Sequence, residues 1–502
     1  MNIVEEIRNN AIAFPDQPAL IGTGRQMTYR QLIRTVATLA AHLSQAGVRP
    51  HDRVGLQVSG ARPMIISTLA IGWLGAVSVT LPIGQRKAGD DALALACGVT
   101  HLLHNLRDPQ AEDLPAWCNP ISLRALDMKS RPAELPEMVQ VEPGALSRIG
   151  VSSGTTGLPK AIASSVGELI VRTHLVRAVY PLTPADRVLV AMAAGMPFAF
   201  HYWMRPLHCG AAVAIANKFE PQPLLQAIHR DGITVVVTTP ATAIDMAQVA
   251  ADPASEFGRP APGLHTMISG GGAMTPATQA ALRRHVCPGL SINYGSSEAG
   301  LIAVADAALQ QSKPRCAGRI VPWMEVQAVD DADAPLPPGT MGRLRMRSMT
   351  MAQGYIGQEG TEAGAGFRDG WFYTGDRGRV RPDGLVFLGG RTDEVLNVSG
   401  GKVDAARVEA VIAEDPTVIE CAVVVAEPQV GKQILVAVVV SNSAVDKEAI
   451  MRRCAGQLGQ HLAPKAVVQV DKLPRNEGGK VMREQLRRSI HVEKNNVTKA
   501  AR

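Results

Sequence analysis

The sequence predicts an α/β protein. A large N-terminal domain of helix-covered, mostly parallel sheets, with a small antiparallel β subdomain, precedes a small α+β C-terminal domain. Three observations predict it. From about Asp52 to Ser296, short apolar runs alternate with stretches of helical periodicity. After Gly300 the runs shorten and are joined through Gly and Pro. After Gly389-Gly390 the texture changes again.

In the first region the strand candidates are Val54 to Val58, Arg187 to Ala191, Ala211 to Ala216, Ile233 to Val237 and Thr266 to Ile268. The helix candidates between them are Gly167 to Val179, Pro223 to His229 and Pro276 to Arg284. Such alternation implies parallel strands with crossover helices. Glu325 to Val329, Gly342 to Arg347 and Gly384 to Leu388 read as short antiparallel strands. Beyond Val403 come a helix (Asp404 to Ala413), two apolar strands (Ile419 to Val425 and Ile434 to Val440), a helix (Lys447 to Leu458) and a strand (Ala466 to Val470). The expected domains are residues 1–391 and 392–490, followed by a polar, frayed tail, 491–502.

Composition agrees. A chain of 502 residues is too long for one core. It is 46% hydrophobic but only 4% aromatic, so small aliphatics fill the interior, as parallel strands covered on both faces require. The net charge of +6 is spread along the chain without a basic block, which suits a polyanionic small ligand such as a nucleotide and argues against nucleic acid. Seven cysteines, an odd count without a CxxC pair, argue against a disulfide framework or a zinc site and imply a reducing compartment. The start is acidic where a signal peptide would be basic. The uncharged run Met64 to Gln85 reaches membrane-span length, but Gly72, Gly75 and Pro82 interrupt it. It reads as a buried helix, a tight turn and a buried strand, Ala76 to Leu81. A soluble cytoplasmic protein without a membrane span is expected.

The chemistry is concentrated first in Val151-Ser152-Ser153-Gly154-Thr155-Thr156-Gly157-Leu158-Pro159-Lys160. Two glycines let the backbone approach an anion, four hydroxyls add donors and Lys160 adds charge. Ile149 and Val151 imply a strand feeding this loop. No Gly-Lys-Ser/Thr follows at Walker A spacing. The string resembles the signature loop of the adenylate-forming superfamily, which comprises acyl-CoA synthetases, aryl-acid ligases, peptide-synthetase adenylation domains and beetle luciferases.

Further motifs follow in that family's order and extend the resemblance over nearly the whole chain. Ser269-Gly270-Gly271-Gly272-Ala273 resembles the segment that borders adenine and the acyl pocket, which implies Gly271, Gly272 and Ala273 at the nucleotide and Gly270 at the acid. Asn293-Tyr294-Gly295-Ser296-Ser297-Glu298 resembles the Tyr-Gly-x-Thr-Glu motif. The resemblance implies that Tyr294 stacks on adenine beside Gly295, Ser297 bonds the α-phosphate and Glu298 holds Mg²⁺. Thr374-Gly375-Asp376 implies that Asp376 accepts the ribose hydroxyls. In Gly389-Gly390-Arg391-Thr392-Asp393-Glu394, Arg391 would contact ribose or phosphate and Asp393 would be the hinge about which a mobile C-terminal domain turns. Gly400 and Gly401 would line a pantetheine channel. Leu473 to Lys480 resembles the catalytic-lysine motif, with Lys480 as the lysine.

These residue types suit a reaction between two anions. At an effective dielectric of about 20, two unit charges about 4 Å apart repel by about 4 kcal/mol. Lys480 would bridge the carboxylate and the α-phosphate. No enzyme nucleophile is required, and no Ser/His/Asp or Cys/His set stands out.

The implied activity is ATP-dependent formation of an acyl-adenylate, then transfer to a thiol. Coenzyme A is the leading acceptor, and the phosphopantetheine of an acyl carrier protein remains open. A non-catalytic nucleotide-binding relative is a third reading, disfavoured by the presence of Lys480, Glu298 and Asp376. The sequence is silent on oligomeric state. Phe198-Ala199-Phe200-His201-Tyr202-Trp203 can be laid on the Phe-Asp-x-Ser-x-Trp motif of amino-acid-activating members. Ala199 replaces the aspartate that would hold an α-ammonium, so an aryl or short to medium acyl acid is favoured. Phe198, Ala199 and His201 are the candidate acid-pocket residues, and helix core is the alternative for the same run.

Overall fold

The computed structural model describes residues 1–22, 25–81, 88–107, 114–128, 134–152, 160–272, 274–357, 366–392, 395–398, 401–429, 432–475, 481–493 and 496–499. Six strands lie parallel and side by side in the order Pro18–Gly22, Ala212–Ile215, Arg187–Ala191, Val235–Thr238, Thr266–Gly270 and Leu290–Ser296. Their side chains alternate between two cores. Val188, Val190, Val235, Val237 and Ile268 face one; Leu189, Ala191, Val236 and Met267 face the other. The period-2 alternation of apolar side chains explains why these runs are apolar at every position. One face is covered by helices Pro221–Arg230, Pro240–Ala251 and Pro276–His285. Each of the three starts with Pro in its first turn, where the missing N–H costs nothing.

The other face packs through helices Tyr29–Gln45, Ala61–Trp73 and Pro197–His208 onto a second sheet. There Leu146–Ser152, Val77–Thr80, Arg53–Gln57, His101–His104 and Asn119–Ser122 run parallel in that order. The uncharged run from Met64 resolves as anticipated into helix Ala61–Trp73, a turn at Gly75 with φ +65° and strand Val77–Thr80. Among the described residues no helix is long and apolar enough to cross a membrane.

After Gly300 the strands turn antiparallel. Gly300–Ala305, Gly318–Ile320, Leu385–Arg391, Trp371–Val380, Gly342–Arg347 and Glu325–Val329 follow one another. They extend the first parallel sheet by hydrogen bonds from Leu290–Ser296 onward, so the antiparallel part is continuous with that sheet. The C-terminal unit packs helices Ala405–Ile412 and Lys447–Leu458 on strands Glu420–Gln429, Lys432–Val440 and Ala466–Val470. Among the described residues, polar contacts that join it to the rest include the hydroxyls of Thr275 and Thr278, which donate to the Ile419 carbonyl at 3.1 and 3.3 Å, the Lys472–Asp245 pair at 2.9 Å and an ion pair between Arg315 and Glu414. The C-terminal tail differs from expectation. Ile490–Glu493 pairs with Asn496–Lys499 as a hairpin, anchored by Ile490, which is buried against the C-terminal core.

Candidate active site

The carboxyl ends of parallel strands are where open α/β sheets bind ligands. In this protein those ends carry Thr239, Gly270-Gly271 and Ser296-Ser297-Glu298, and the loop after Arg187–Ala191 leads to helix Pro197–His208. Between them opens a cavity of about 180 Å³, lined on one side by Phe198, His201, Tyr202 and Arg205 and on the other by Gly270 and Ser297. A side chain at Gly270 would be a tight fit: a Cβ would lie 3.1 Å from the Phe198 ring and 3.3 Å from the Asn293 carbonyl. Gly271 is needed for conformation, with φ +95° and open space around it.

Helix Val166–Val176 supplies the centre of the polar network. Its start is a capping box, with the Ser165 hydroxyl accepting from Glu168 N and the Glu168 carboxylate accepting from Ser165 N. One turn on, buried Arg172 pairs with Glu168 at 2.7 Å. Arg172 also donates to the carbonyls of Ser297 (3.1 Å) and Glu298 (3.2 Å), to the Thr350 carbonyl, and to His201 Nε2 at 3.0 Å. Burial pushes the Glu168 carboxyl up to about 7, although the guanidinium and the hydrogen bonds of Ser164 and Ser165 pull it down. Arg172 thus pins the backbone of Ser297 and Glu298. The sequence reading did not include it, because a Glu and an Arg four apart on a helix is an ordinary surface pattern.

A guanidinium can only donate, so His201 Nε2 must accept, and the ring is the neutral Nδ1–H tautomer. Desolvation, then Arg172 and Arg148, hold its pKa well below the usual histidine value.

Around the candidate phosphate loop, strand Leu146–Ser152 pairs antiparallel with Lys160–Ser165. Ser152 sits opposite Lys160, so both lie at the mouth of the connection that carries the signature. Ser153, Gly154, Thr155, Thr156 and Gly157 lie outside the described residues. Lys160 Nζ stands 5.0 Å over the Tyr355 ring, and Tyr355 Oη donates to Glu298 Oε1 at 2.7 Å. Lys160 and Glu298 therefore share one neighbour, which the sequence reading missed. Glu298 offers a hard oxygen donor, and Mg²⁺ characteristically takes one or two carboxylates together with substrate phosphates and water, so this residue fits that ion. Among the described residues no cluster of three or more metal-ligating side chains occurs.

Tyr294 and Asp376, the candidates for adenine and ribose, meet directly. Tyr294 Oη donates to Asp376 Oδ2 at 2.6 Å, and Arg391 Nη1 donates to Oδ1 at 3.1 Å. Burial and the adjacent carboxylate hold the Tyr294 phenol neutral, its pKa well above the usual tyrosine value. A carboxylate has about four acceptor sites, so a vicinal diol can be added to these two donors or exchanged for them. Gly375 makes the arrangement possible: its φ is +77°, and a Cβ would lie 2.9 Å from Arg391 Nη2. Gly272 is exposed beside Gly271, and Gly295 lies at the bulge between Tyr294 and Ser296; Ala273 lies outside the described residues.

Beyond Arg391, Thr392 is tied to the Gly375 carbonyl through both N–H (2.8 Å) and hydroxyl (2.9 Å). Asp393, Gly400 and Lys480 lie outside the described residues. Gly401 opens strand Gly401–Asp404, paired with Val395–Val398. Arg475 and Val481, flanking the lysine segment, form an antiparallel bridge, and Arg475 is ion-paired to Glu420.

The aromatic run divides by helical period. Phe198, His201 and Tyr202 line the cavity, while Phe200 and Trp203 are core. Ala199 corrects the sequence expectation. It is fully buried on the core face with Trp203 and Leu207, four and eight residues on, and is not part of the cavity wall. Arg205, Asn293, Val176 and Leu301 are wall residues that the sequence reading did not assign to the acid pocket.

Fold and site together define a class: an α/β enzyme with a cavity at the carboxyl ends of its parallel strands and a separate C-terminal unit. The chain belongs to the AMP-binding enzyme family, whose model matches residues 7–356; that of the AMP-binding enzyme C-terminal domain matches residues 407–480. It is 27% identical to a 3-hydroxybenzoate–CoA ligase of Aromatoleum sp. (strain CIB), over 97% of this chain and 96% of the relative. It is 29% identical to a feruloyl-CoA synthase of Amycolatopsis sp., over 94% and 96% of the two chains. In fold it is similar to an o-succinylbenzoate CoA synthetase of Bacillus subtilis in complex with the acyl-adenylate OSB-AMP, with a TM-score of 0.82 at 22% identity, covering 96% and 97% of the chains.

Proposed function

We propose that this protein is an AMP-forming acid–thiol ligase. It activates an aryl or short to medium acyl acid with ATP and Mg²⁺, releases pyrophosphate, and transfers the acyl group to coenzyme A. The observation that carries this reading is the cavity that runs from apolar walls at Phe198 and Leu301 to Ser297. The neighbouring residue Glu298 faces the phosphate side through Tyr355. An acid seated there presents its carboxylate where a nucleotide held by Tyr294 and Asp376 would present its α-phosphate. Relatives that act as CoA ligases on aromatic acids support the same acceptor and substrate class.

In the first step a carboxylate oxygen attacks the α-phosphorus, and the bond to the β-phosphate oxygen breaks. Ser297 bonds the α-phosphate, and its peptide is held by Arg172, so the donor is positioned before the charge develops. Mg²⁺ on Glu298 would offset the charge of the departing pyrophosphate. Ser152 to Gly157 and Lys160 supply donors to the same group, and Lys480 bridges carboxylate and α-phosphate. In the second step the thiolate attacks the acyl carbon and AMP leaves. Rotation about Asp393 withdraws Lys480 and brings Gly400 and Gly401 to the pantetheine arm.

The test is acid-dependent pyrophosphate release across aryl, short-chain, medium-chain and amino acids, with and without CoA. A response to one non-amino class, raised by CoA, is expected. Turnover indifferent to CoA, with discharge by a holo-carrier protein, would replace CoA as the acceptor. ATP binding without release for any acid would overturn the ligase reading.

A further inference from the structure

Arg205 lines the acid cavity and is 1% exposed, yet none of its three guanidinium nitrogens has a hydrogen-bond partner among the described residues. Nor does a described carboxylate pair with it. Its neighbours are aromatic faces, with Cζ 5.0 Å from the Tyr202 ring centre and 5.6 Å from that of Tyr180. Their hydroxyls are engaged elsewhere. Asn293 Nδ2 donates to Tyr202 Oη at 2.6 Å, and Tyr180 Oη donates to Asn293 Oδ1 at 2.5 Å and lies 2.6 Å from Ser291 Oγ. Burial pushes both phenols up, so the network stays neutral.

The other buried arginines nearby are satisfied differently. Arg172 has Glu168 and a set of carbonyls, and Arg148 donates to the Gly195 carbonyl at 2.9 Å. A guanidinium keeps its charge in proteins and presents five N–H donors. Burying it without an anion is unfavourable, and cation–π contacts recover only part of the loss. The missing partner is an anion, and the position of Arg205 in the wall puts that partner inside the cavity.

The spacing defines the ligand. Phe198, His201, Tyr202 and Arg205 stand at i, i+3, i+4 and i+7 on one face of helix Pro197–His208. His201 is joined through Arg172 to Ser297, at the end where the carboxylate meets the α-phosphate. Arg205 lies one turn further in, about 6 Å along the helix axis, beside Asn293, which precedes Ser297 by four residues on the floor of the cavity. The same cavity is lined by apolar Val176, Met196 and Leu301.

We propose that Arg205 is a specificity residue that pairs with a second carboxylate of the substrate. The acid activated by this enzyme is then a dicarboxylic acid whose two carboxylates stand about one helical turn apart, as on a benzene ring, joined by an apolar core. This rests on the ligase reading above and narrows its substrate class. A bidentate guanidinium–carboxylate pair fits the planar donor fork.

Matched pairs test it: terephthalate against 4-methylbenzoate, isophthalate against 3-methylbenzoate, and adipate against hexanoate. Each is assayed by pyrophosphate release for the wild type, Arg205→Met and Arg205→Lys. In the wild type, kcat/KM for one diacid should exceed that of its partner by about 100-fold. Arg205→Met should invert that order, chiefly through KM, and Arg205→Lys should restore part of it. That diacid should also raise the Tm of the wild type but not of Arg205→Met. Replacing an unpaired buried charge with a similar-sized apolar group is not expected to unfold the protein; Arg205→Lys retains the charge should it do so. Monoacid turnover without a diacid advantage, or an equal loss on both members of each pair in Arg205→Met, would overturn the role of Arg205 and leave the ligase reading standing. No release with any acid would overturn both.

Discussion

The phenol of Tyr294 donates a 2.6 Å hydrogen bond to the carboxylate of Asp376, across 82 residues of sequence and from a parallel strand to an antiparallel one. Arg391 holds the other carboxylate oxygen. The adenine-side and ribose-side candidates are thus one unit. Tyr294→Phe keeps the ring and deletes this bond. A hydrogen bond to a charged group is worth about 1.5–3 kcal/mol, so KM for ATP should rise about 10-fold or more, with KM for the acid little changed. Steady-state kinetics varying each substrate check this. A change confined to the acid would remove Tyr294 from the nucleotide side.

Breaking the buried pair on helix Val166–Val176 has a different signature. Arg172→Met leaves Glu168 buried without its cation, and removing one partner of such a pair costs about 3–5 kcal/mol. Arg172→Met with Glu168→Gln should recover much of that loss in chemical denaturation, because neither charge is stranded. The pH dependence has a definite sign. Burial raises the Glu168 carboxyl to about 7, above its unfolded value, so its contribution to stability is fully present below the unfolded pKa and lost as pH rises through about 7. The stability of Glu168→Gln should therefore gain on that of the wild type between pH 5 and pH 8. A constant difference would mean that Arg172 holds the carboxylate ionised throughout.

What was legible in the sequence was local. Strands such as Arg187–Ala191 and Glu325–Val329 are apolar or alternating over their whole length, and their bounds follow from that pattern. Glycines mark close approaches, as at Gly270 against Phe198, and positive φ with close approach, as at Gly375 against Arg391. What was not legible depends on how helices insert between sheets. Arg172 and Arg205 look like surface cations in the sequence, and only packing of their helices between two sheets buries them. The division of the aromatic run, by contrast, obeys the 3.6-residue period: once residues 197–208 are known to be helical, Ala199 falls on the face of Trp203 and away from His201. Tyr355 reaches Glu298 from a strand 57 residues on, beyond any local pattern.

His201 carries the second pH prediction. Desolvation and two arginines depress its pKa in the folded state, so it stays neutral while the unfolded chain takes up a proton below about 6.5. Stability contributed at this site is present above the unfolded pKa and falls as pH drops below it, by up to about 1.4 kcal/mol per pH unit for one proton. His201→Gln should flatten the stability profile between pH 6.5 and 5, measured by denaturant titration at each pH. An unchanged slope would mean that the imidazole protonates in the fold, which its acceptor role toward Arg172 opposes.

The last prediction concerns the two half-reactions. The lysine segment is closed at its base by the Arg475–Val481 bridge, and Met482 N–H donates to the Pro474 carbonyl at 2.8 Å. The ion pair between Arg475 and Glu420 fastens this base to the C-terminal sheet. At the other end of the unit, Gly390 has φ +117° and approaches the Asp404 carboxylate so closely that a Cβ would lie 2.3 Å from it. A side chain at residue 390 would therefore press on Asp404, which caps the first helix of the C-terminal unit. With Lys480 in its proposed role as the bridge between carboxylate and α-phosphate, Lys480→Ala should lower adenylation by about 100-fold or more while supplied acyl-adenylate is still converted to thioester. Under the proposed rotation, Gly390→Ala should instead impair both steps. Equal loss of the two steps in Lys480→Ala, measured by pyrophosphate release and by thioester formation from synthetic adenylate, would mean that the lysine is not withdrawn between them.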